Sequence, residues 1–185
     1  MPVSLFYRSW DYYELDRIAL DRCRGTTLDI GASTGVHTIE LQKRGMDVTA
    51  LDSSQNACTV LRKRGVSQVV HGSIQDFSSQ RCFDTWLLLG RSIGLVSSLT
   101  GFQEFLSKAA SSLCPKGRLI FNSVDVTKPS SRKIWFSYQG QNGIEIDWFN
   151  VNIETARSEA ENAGFTSRVL HQSDDGNYLI ELELM

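Results

Sequence analysis

The stretch Thr26 to Leu41, TTLDIGASTGVHTIEL, constrains this chain more than any other. Leu28 and Ile30 belong to an apolar strand-like run, Gly31-Ala32-Ser33-Thr34-Gly35 is a small-residue turn, and Ile39 and Leu41 follow on an amphipathic helix. A strand, a tight turn and a helix in that order make a cradle for a nucleotide-like ligand. Glycine tolerates the dihedrals of the bend and has no side chain to hold a ligand away. Tight-turn glycines alone account equally well for the stretch, so the later chain must decide.

The later chain repeats the same grammar. Lys43-Arg44-Gly45 closes the first helix, with basic residues in its last turn and a glycine beyond. Met46 to Leu51 reads as a second strand ending in Asp52. Ser54 to Arg64 reads as a helix with Ala57, Val60 and Leu61 inward, and Val66 to His71 as a third strand. Arg81 to Gly90, RCFDTWLLLG, is nearly continuous apolar after Asp84, as a strand buried on both faces should be. Leu99 to Leu113 is helical, Pro115-Lys116-Gly117 a turn, and Arg118 to Asn122 a fifth strand. Such alternation implies a parallel sheet with crossover helices.

From Lys133 the pattern changes. Ile134 to Gln139 and Ile144 to Phe149 flank Gln141-Asn142-Gly143, and Asn-Gly between two strand-like runs predicts a hairpin turn there. Asn152 to Asn162 then predicts a helix, and strands at Ser167 to His171 and Tyr178 to Leu184 flank a turn at Asp174-Asp175-Gly176-Asn177, so the last two strands should be antiparallel. At the front, Phe6 to Arg22 has a loosely helical distribution. It either packs on the sheet edge or folds its aromatic start, Tyr7 to Tyr13, over a ligand.

With 185 residues and no repeat or linker, the chain reads as one domain, 1–185, with an N-terminal helical lid (1–25) and a hairpin insertion (132–150). A net charge of −2 gives no basic face for nucleic acid. Cys23, Cys58, Cys82 and Cys114 are widely spaced, which points to reduced, mostly buried thiols. The three histidines lack ligand spacing, so no metal is expected. No apolar run approaches the ~20 residues of a membrane span, and the first residues lack a signal peptide's pattern, so the expected location is cytoplasmic.

These segments together resemble the class I S-adenosylmethionine-dependent methyltransferases over almost the whole length. LDIGASTG is similar to the family's first motif, LD(I/V)GxGxG; VTALDSS to the second; VVHGSIQDF to the third; FDTWLLLGRSIGLV to the fourth; and LCPKGRLIFNSVD to the fifth. The likeness is nearest to small bacterial members with an LLLGNx(I/F)GL fourth motif. The resemblance implies a Rossmann-like, doubly wound α/β fold: a seven-stranded, mostly parallel sheet of order 3-2-1-4-5-7-6 with an antiparallel seventh strand. It also implies S-adenosyl-L-methionine as cofactor and S-adenosyl-L-homocysteine as product. The acceptor would be a small, natural-product-like molecule or a peptide, and the protein a monomer or homodimer. A non-catalytic S-adenosylmethionine-binding partner or sensor of the same fold is the alternative, supported by Ser33 and Ser73 where the family pattern has other residues.

In an open parallel sheet, ligands bind beyond the carboxyl ends of strands where the strand order reverses. Asp52, 21 positions after Gly31, is placed for a carboxylate accepting from ribose hydroxyls. An NAD site would ask for G-x-G-x-x-G, and Ser33 and Val36 stand at its second and third glycines. By the resemblance, the cofactor residues are Gly31, Ala32, Ser33, Gly35 and His37; Asp52 and Ser53; Ser73, Ile74 and Gln75; and Leu89, Gly90 and Ser92. Tyr12, Arg91, Trp135 and Trp148 are substrate candidates, with Trp10, Tyr13, Tyr138 and Asp147 beside them. Arg91, where the subgroup has Asn, either holds an acidic group or points to solvent. His71 and Asp125 are the candidate bases, although in-line methyl transfer requires none.

Overall fold

The computed structural model describes residues 3–135, 137–138 and 140–185. A short 3-10 turn, Val3–Tyr7, precedes helix α1, Glu14–Arg22. Strand β1, Thr27–Ile30, leads into α2, Val36–Lys43, and β2, Val48–Asp52, into α3, Gln55–Lys63. β3, Gln68–His71, reaches β4, Phe83–Leu88, through turns alone. A second 3-10 turn, Ser92–Val96, and α4, Leu99–Ser112, connect to β5, Leu113–Val124. Four short strands follow: β6, Ser130–Ile134; β7, Ser137–Tyr138; β8, Gln141–Asn142; and β9, Ile146–Asn150. The chain ends with α5, Ile153–Asn162, β10, Phe165–Gln172, and β11, Asn177–Leu184.

Seven strands form one sheet in the order β10-β11-β5-β4-β1-β2-β3. β1 to β5 run parallel, and β11 lies antiparallel between β5 and β10. Counting only the strands of this sheet, that is the expected 3-2-1-4-5-7-6 order. β1 is buried along its whole length, as a central strand covered on both faces must be. One face packs Leu28, Leu51, Trp86 and Phe121 against Phe102, Phe105 and Leu106 of α4 and Ala156 and Ala160 of α5. The other packs Val48, Leu87 and Ile120 against Leu15, Ala19 and Leu20 of α1 and Leu41 of α2, and Ala50 against Leu61 of α3.

Three local expectations need correction. The first helix begins at Glu14 rather than Phe6, because Ser9 and Asp11 bond to each other and Tyr12 N donates to Ser9 O (3.2 Å), closing a turn. The hairpin turns at Gly140, φ 78°, instead of at Asn142-Gly143; the register that opposes Ile134 to Ile146 and Ser137 to Asn142 puts the bend there. The parts of its first strand at Phe136 and Gln139, and the Tyr138 side chain, lie outside the described residues. Third, Cys82 and Cys114 are disulfide-bonded, where four reduced thiols were expected; Cys23 and Cys58 are free. Phe83 and Leu113 are partners where the parallel β4–β5 ladder shifts register, and at this irregular start Cys82 and Cys114 lie with Cα atoms 5.0 Å apart. Sequence separation alone gives no hint of that pairing.

The centre of the sheet buries a carboxyl. Asp29, in the middle of β1, accepts a hydrogen bond from Thr38 Oγ1 of α2. Burial pushes its carboxyl up from the usual range; the nearby His37 and the Thr38 hydroxyl oppose that shift without cancelling it.

Three outcomes follow. Reduction of the Cys82–Cys114 bond, or its Cys82→Ser variant, lowers stability by about 2 to 4 kcal/mol through the closed loop, read as a shift of the urea midpoint. Thiol titration of unfolded, unreduced protein finds two reactive thiols if the bond is present and four if it is absent. For Asp29 the folded pKa lies above the unfolded one, so the folded state holds the extra proton between them. Stability of the wild type relative to Asp29→Asn therefore falls as pH rises from about 4 and levels off above the folded pKa. A difference independent of pH would contradict this assignment.

Candidate functional site

The turn after β1 is built on left-handed backbone: φ is 72° at Gly31, 53° at Ser33 and 82° at Gly35. Gly31 N and Ala32 N both donate to Leu51 O (2.8 and 3.2 Å), extending the β1–β2 ladder into the turn. A side chain on Gly35 would collide with Leu61 of α3, so only glycine serves where the turn enters α2. Asp52, at the end of β2, fixes the turn from the side. Its Oδ2 accepts from Ser33 N and its Oδ1 from Ser54 N, both at 2.8 Å. Ser54 in turn caps α3 by accepting from Ala57 N at 3.3 Å. A carboxylate has about four lone-pair positions, and the half-buried Asp52 uses two. It keeps capacity for two hydroxyl donors.

Across the switch point, Gly90 and Arg91 leave β4 with φ 71° and 61°. That bend brings Ser92 Oγ to 3.5 Å from where a side chain on Gly31 would begin. Ser92 and the glycine turn thus face each other directly at the carboxyl ends of β4 and β1, while Leu89 is buried under α1. The Ser33 side chain stands half-exposed in the turn, and Ser53 is exposed beside Asp52.

The other candidates are distributed around this centre. Ser73 Oγ donates to Asp76 Oδ2 (2.6 Å) and accepts from Asp76 N (3.2 Å), so its hydroxyl is engaged in a local turn. Lys108 Nζ donates to Gln75 O (2.6 Å), and Ile74 packs on the main core. His71 ends the edge strand β3, with Nε2 3.1 Å from Ser53 O. Asp125 accepts from Ile153 N (3.0 Å) and Gln172 Nε2 (3.4 Å), which makes it an acceptor for the exposed first turn of α5. It also borders an open cleft of about 530 Å³ lined by Val126, Asn152, Ile153, Glu154 and Arg157. Arg91 is directed to the β10–β11 turn: Nε donates to Asn177 Oδ1 (2.6 Å), and Nη2 lies 3.8 Å from Asp175 Oδ2. Trp148 is seated on Gly94, Trp135 is 54% exposed, and Tyr12 is exposed with its ring edge-on to Tyr13.

His37 is turned towards α1, with Nε2 3.3 Å from Asp16 Oδ2. The two atoms are close without the angle of a hydrogen bond, and His37 Nε2 has no hydrogen-bond partner among the described residues. Arg8 donates to the same Asp16 oxygen, and Asp16 is buried. The N-terminal segment is also fastened to the turn itself. Thr34 Oγ1 donates to Phe6 O, Arg64 donates to Thr34 O, and the Arg64 guanidinium lies 5.6 Å from the Tyr7 ring centre. Arg8, Asp16, Asp29 and Asn122, whose Oδ1 accepts from Arg91 N at 2.9 Å, were not singled out from the sequence. A charge inside the apolar run LDI was the one available signal, for Asp29. Among the described residues no cluster of His, Cys, Asp and Glu could hold a metal ion, and no helix is long and apolar enough to cross a membrane.

Residues 27–117, from β1 to the Pro115-Lys116-Gly117 bend of β5, match the methyltransferase domain family. None of the curated proteins compared matches the chain. Among solved structures, the chain is similar to an S-adenosylmethionine-dependent methyltransferase from Bacteroides fragilis in complex with S-adenosyl-L-homocysteine. Identity is 26%, covering 100% of this chain and 83% of that one, with a TM-score of 0.91. CalS10, an amino pentose methyltransferase from Micromonospora echinaspora, shares 15% identity over 93% of this chain and 89% of its own, TM-score 0.66. The glycopeptide N-methyltransferase MtfA shares 16% over 96% and 92%, TM-score 0.68. The last two share the fold alone. With a methyltransferase domain matched over residues 27–117 and the whole chain superimposing on the S-adenosylmethionine-dependent methyltransferase from Bacteroides fragilis, the chain carries a methyltransferase domain in the fold of the class I S-adenosylmethionine-dependent enzymes.

Proposed function

We propose that this enzyme transfers a methyl group from S-adenosyl-L-methionine to a small-molecule acceptor held beyond the ends of β4 and β5. The observation that carries the reading is the pairing of a left-handed glycine turn with Asp52, whose carboxylate fixes the turn and still has two lone pairs to offer. In this reading Asp52 accepts from the ribose hydroxyls, Gly31 lets the backbone approach the ligand, and Ile74 offers an apolar contact to the base. Ser92, facing Gly31, borders the amino-acid end together with Ser33. Residues 3–13, already bonded to Thr34 and Asp16, close over the turn and exclude water.

The cofactor supplies a sulfonium-bound methyl group and its own leaving group. What remains for the chain is to hold the acceptor in line and dry. Proton removal is not the main contribution here. Asp125 already accepts hydrogen bonds from Ile153 N of α5 and Gln172 Nε2 of β10, and His71 stands on the edge strand, two strands from β1. Asp125 and Glu154 instead place two carboxylates, beside Arg157, on the cleft next to β5; they attract an ammonium group, which loses its proton to solvent before the free amine attacks the methyl carbon. Amines are therefore the first acceptors to test, a choice in line with the amino pentose and glycopeptide substrates of the two structural neighbours. Release of S-adenosyl-L-homocysteine with an amine-bearing panel, and none with carboxylic acids or phenols, is the expected result. Tight cofactor binding with no turnover on any panel would overturn the enzymatic reading of the site.

Two variants test the cradle by calorimetry with S-adenosyl-L-homocysteine. Asp52→Ala weakens binding by about 1.5 to 3 kcal/mol, the scale of charge-assisted hydrogen bonds; unchanged affinity would sink this placement. Ser33→Gly keeps affinity within about threefold, because the backbone N–H makes the bond to Asp52 and φ 53° suits glycine.

A further inference from the structure

The hairpin between β5 and α5 is rooted next to the cofactor side of the molecule. β6 and β9 pair from Ser130↔Asn150 to Ile134↔Ile146. Phe149, 2% exposed, enters the main core beside Phe102, and Ser131 Oγ donates to Ser97 O (2.6 Å) at the end of the Ser92–Val96 turn. Between these two anchors, the Trp148 indole lies on Gly94, in the middle of that turn. A Cβ added at Gly94 would meet Trp148 Cε2, Nε1 and Cδ2 well inside the 3.0 Å that real Cβ contacts respect. Those atoms belong to a rigid bicyclic ring rather than to the end of a flexible chain, so the ring would have to leave. Gly94 has no positive φ to explain it. Its lack of a side chain is explained by the indole.

The same short turn begins with Ser92, whose Oγ faces Gly31 across the switch point. We propose that Trp148 is a positioning residue for methyl transfer: seated on Gly94, it fixes the Ser92–Val96 turn, and with it Ser92, against the glycine turn. The hairpin and the cofactor cradle are thereby one mechanical unit. The far end of the hairpin carries the exposed Trp135 and Ile144 (84% exposed), so what the acceptor does to the hairpin reaches the middle of the Ser92–Val96 turn through the ring-on-glycine contact, while the Ser131 hydrogen bond to Ser97 O holds the turn's far end. This rests on the cofactor reading of Gly31 and Ser92 above.

The test is calorimetry with S-adenosyl-L-homocysteine at a temperature where circular dichroism shows each variant folded. Gly94→Ala, which pushes the ring away, weakens binding about tenfold or more, as overpacking of a rigid contact does. Adding Trp148→Phe to Gly94→Ala makes room for the methyl group and returns affinity to within about threefold of wild type, the signature of two residues coupled by contact. A merely structural role would lower the thermal midpoint of Gly94→Ala and leave the affinity of the folded protein unchanged, and that result overturns the proposal, as does failure of the second substitution to restore binding. If Gly94→Ala does not fold, Trp148→Ala decides instead: weakened binding supports the clamp, and wild-type affinity refutes it. A wild type that binds no S-adenosyl-L-homocysteine refutes the cofactor reading and the proposal with it, whereas normal wild-type binding with indifferent variants refutes the clamp alone.

Discussion

The Asp52 carboxylate takes one hydrogen bond from Ser33 N and another from Ser54 N, and the shape of the site depends on that pair. The first bond ties the turn after β1 to the end of β2, while the second closes the start of α3. Without the first, a loop with three left-handed residues in five would have little to hold it in one conformation. A charged acceptor is well suited to the task, because hydrogen bonds to carboxylates are shorter and stronger than those between neutral groups. It also leaves the loop's own atoms facing the space that a ligand would occupy. The side chain that organises the cradle is thus the one with acceptor capacity left over for hydroxyl donors.

Charge is distributed to match this geometry. At the amino ends of the strands, Arg118 and Glu181 are both buried and bonded at 3.0 Å, and Arg22 joins them from the end of α1. A buried pair of this kind gains little net stability against apolar residues, but it is costly to break and so fixes register. Here it fixes β11 against β5 and docks α1 on the sheet. At the other end of α1, Asp16 holds Arg8 and faces His37. One helix therefore carries a charge clasp at each end, the first on the sheet and the second beside the glycine turn. The N-terminal residues sit on the turn because α1 is held at both of its ends.

The segment that follows β4 is organised by contacts rather than by charge. Arg91 is strained in a left-handed conformation and is held in it by Asn122 and Asn177, which lie on neighbouring strands β5 and β11. Trp148 presses on Gly94 a few residues later. The segment from Gly90 to Val96 is consequently gripped from two directions, by the sheet and by the hairpin. Rigidity of this kind is what in-line transfer needs, since misplacement of about an ångström can cost a hundredfold in rate.

The sequence by itself determined the alternation of strands and helices, the sheet order through its motifs, and the position of Asp52 and the glycine turn. These are carried by local signals: apolar periodicity, Gly at forced dihedrals, and caps such as Ser54 and Asn152. Only the tertiary structure decided which side chains meet across strands. The Cys82–Cys114 bond depends on the irregular start of the β4–β5 ladder, the hairpin turn at Gly140 on the pairing of Ile134 with Ile146, and the role of Gly94 on an indole 54 residues further along the chain. The engagement of Arg91 with Asn177, and of His37 with Asp16, is likewise set by packing between distant elements. Local propensity acts over a few residues and can be read in order along the chain. Side-chain contacts act through space, and they exist only once burial of the sheet's two faces has fixed where each strand lies.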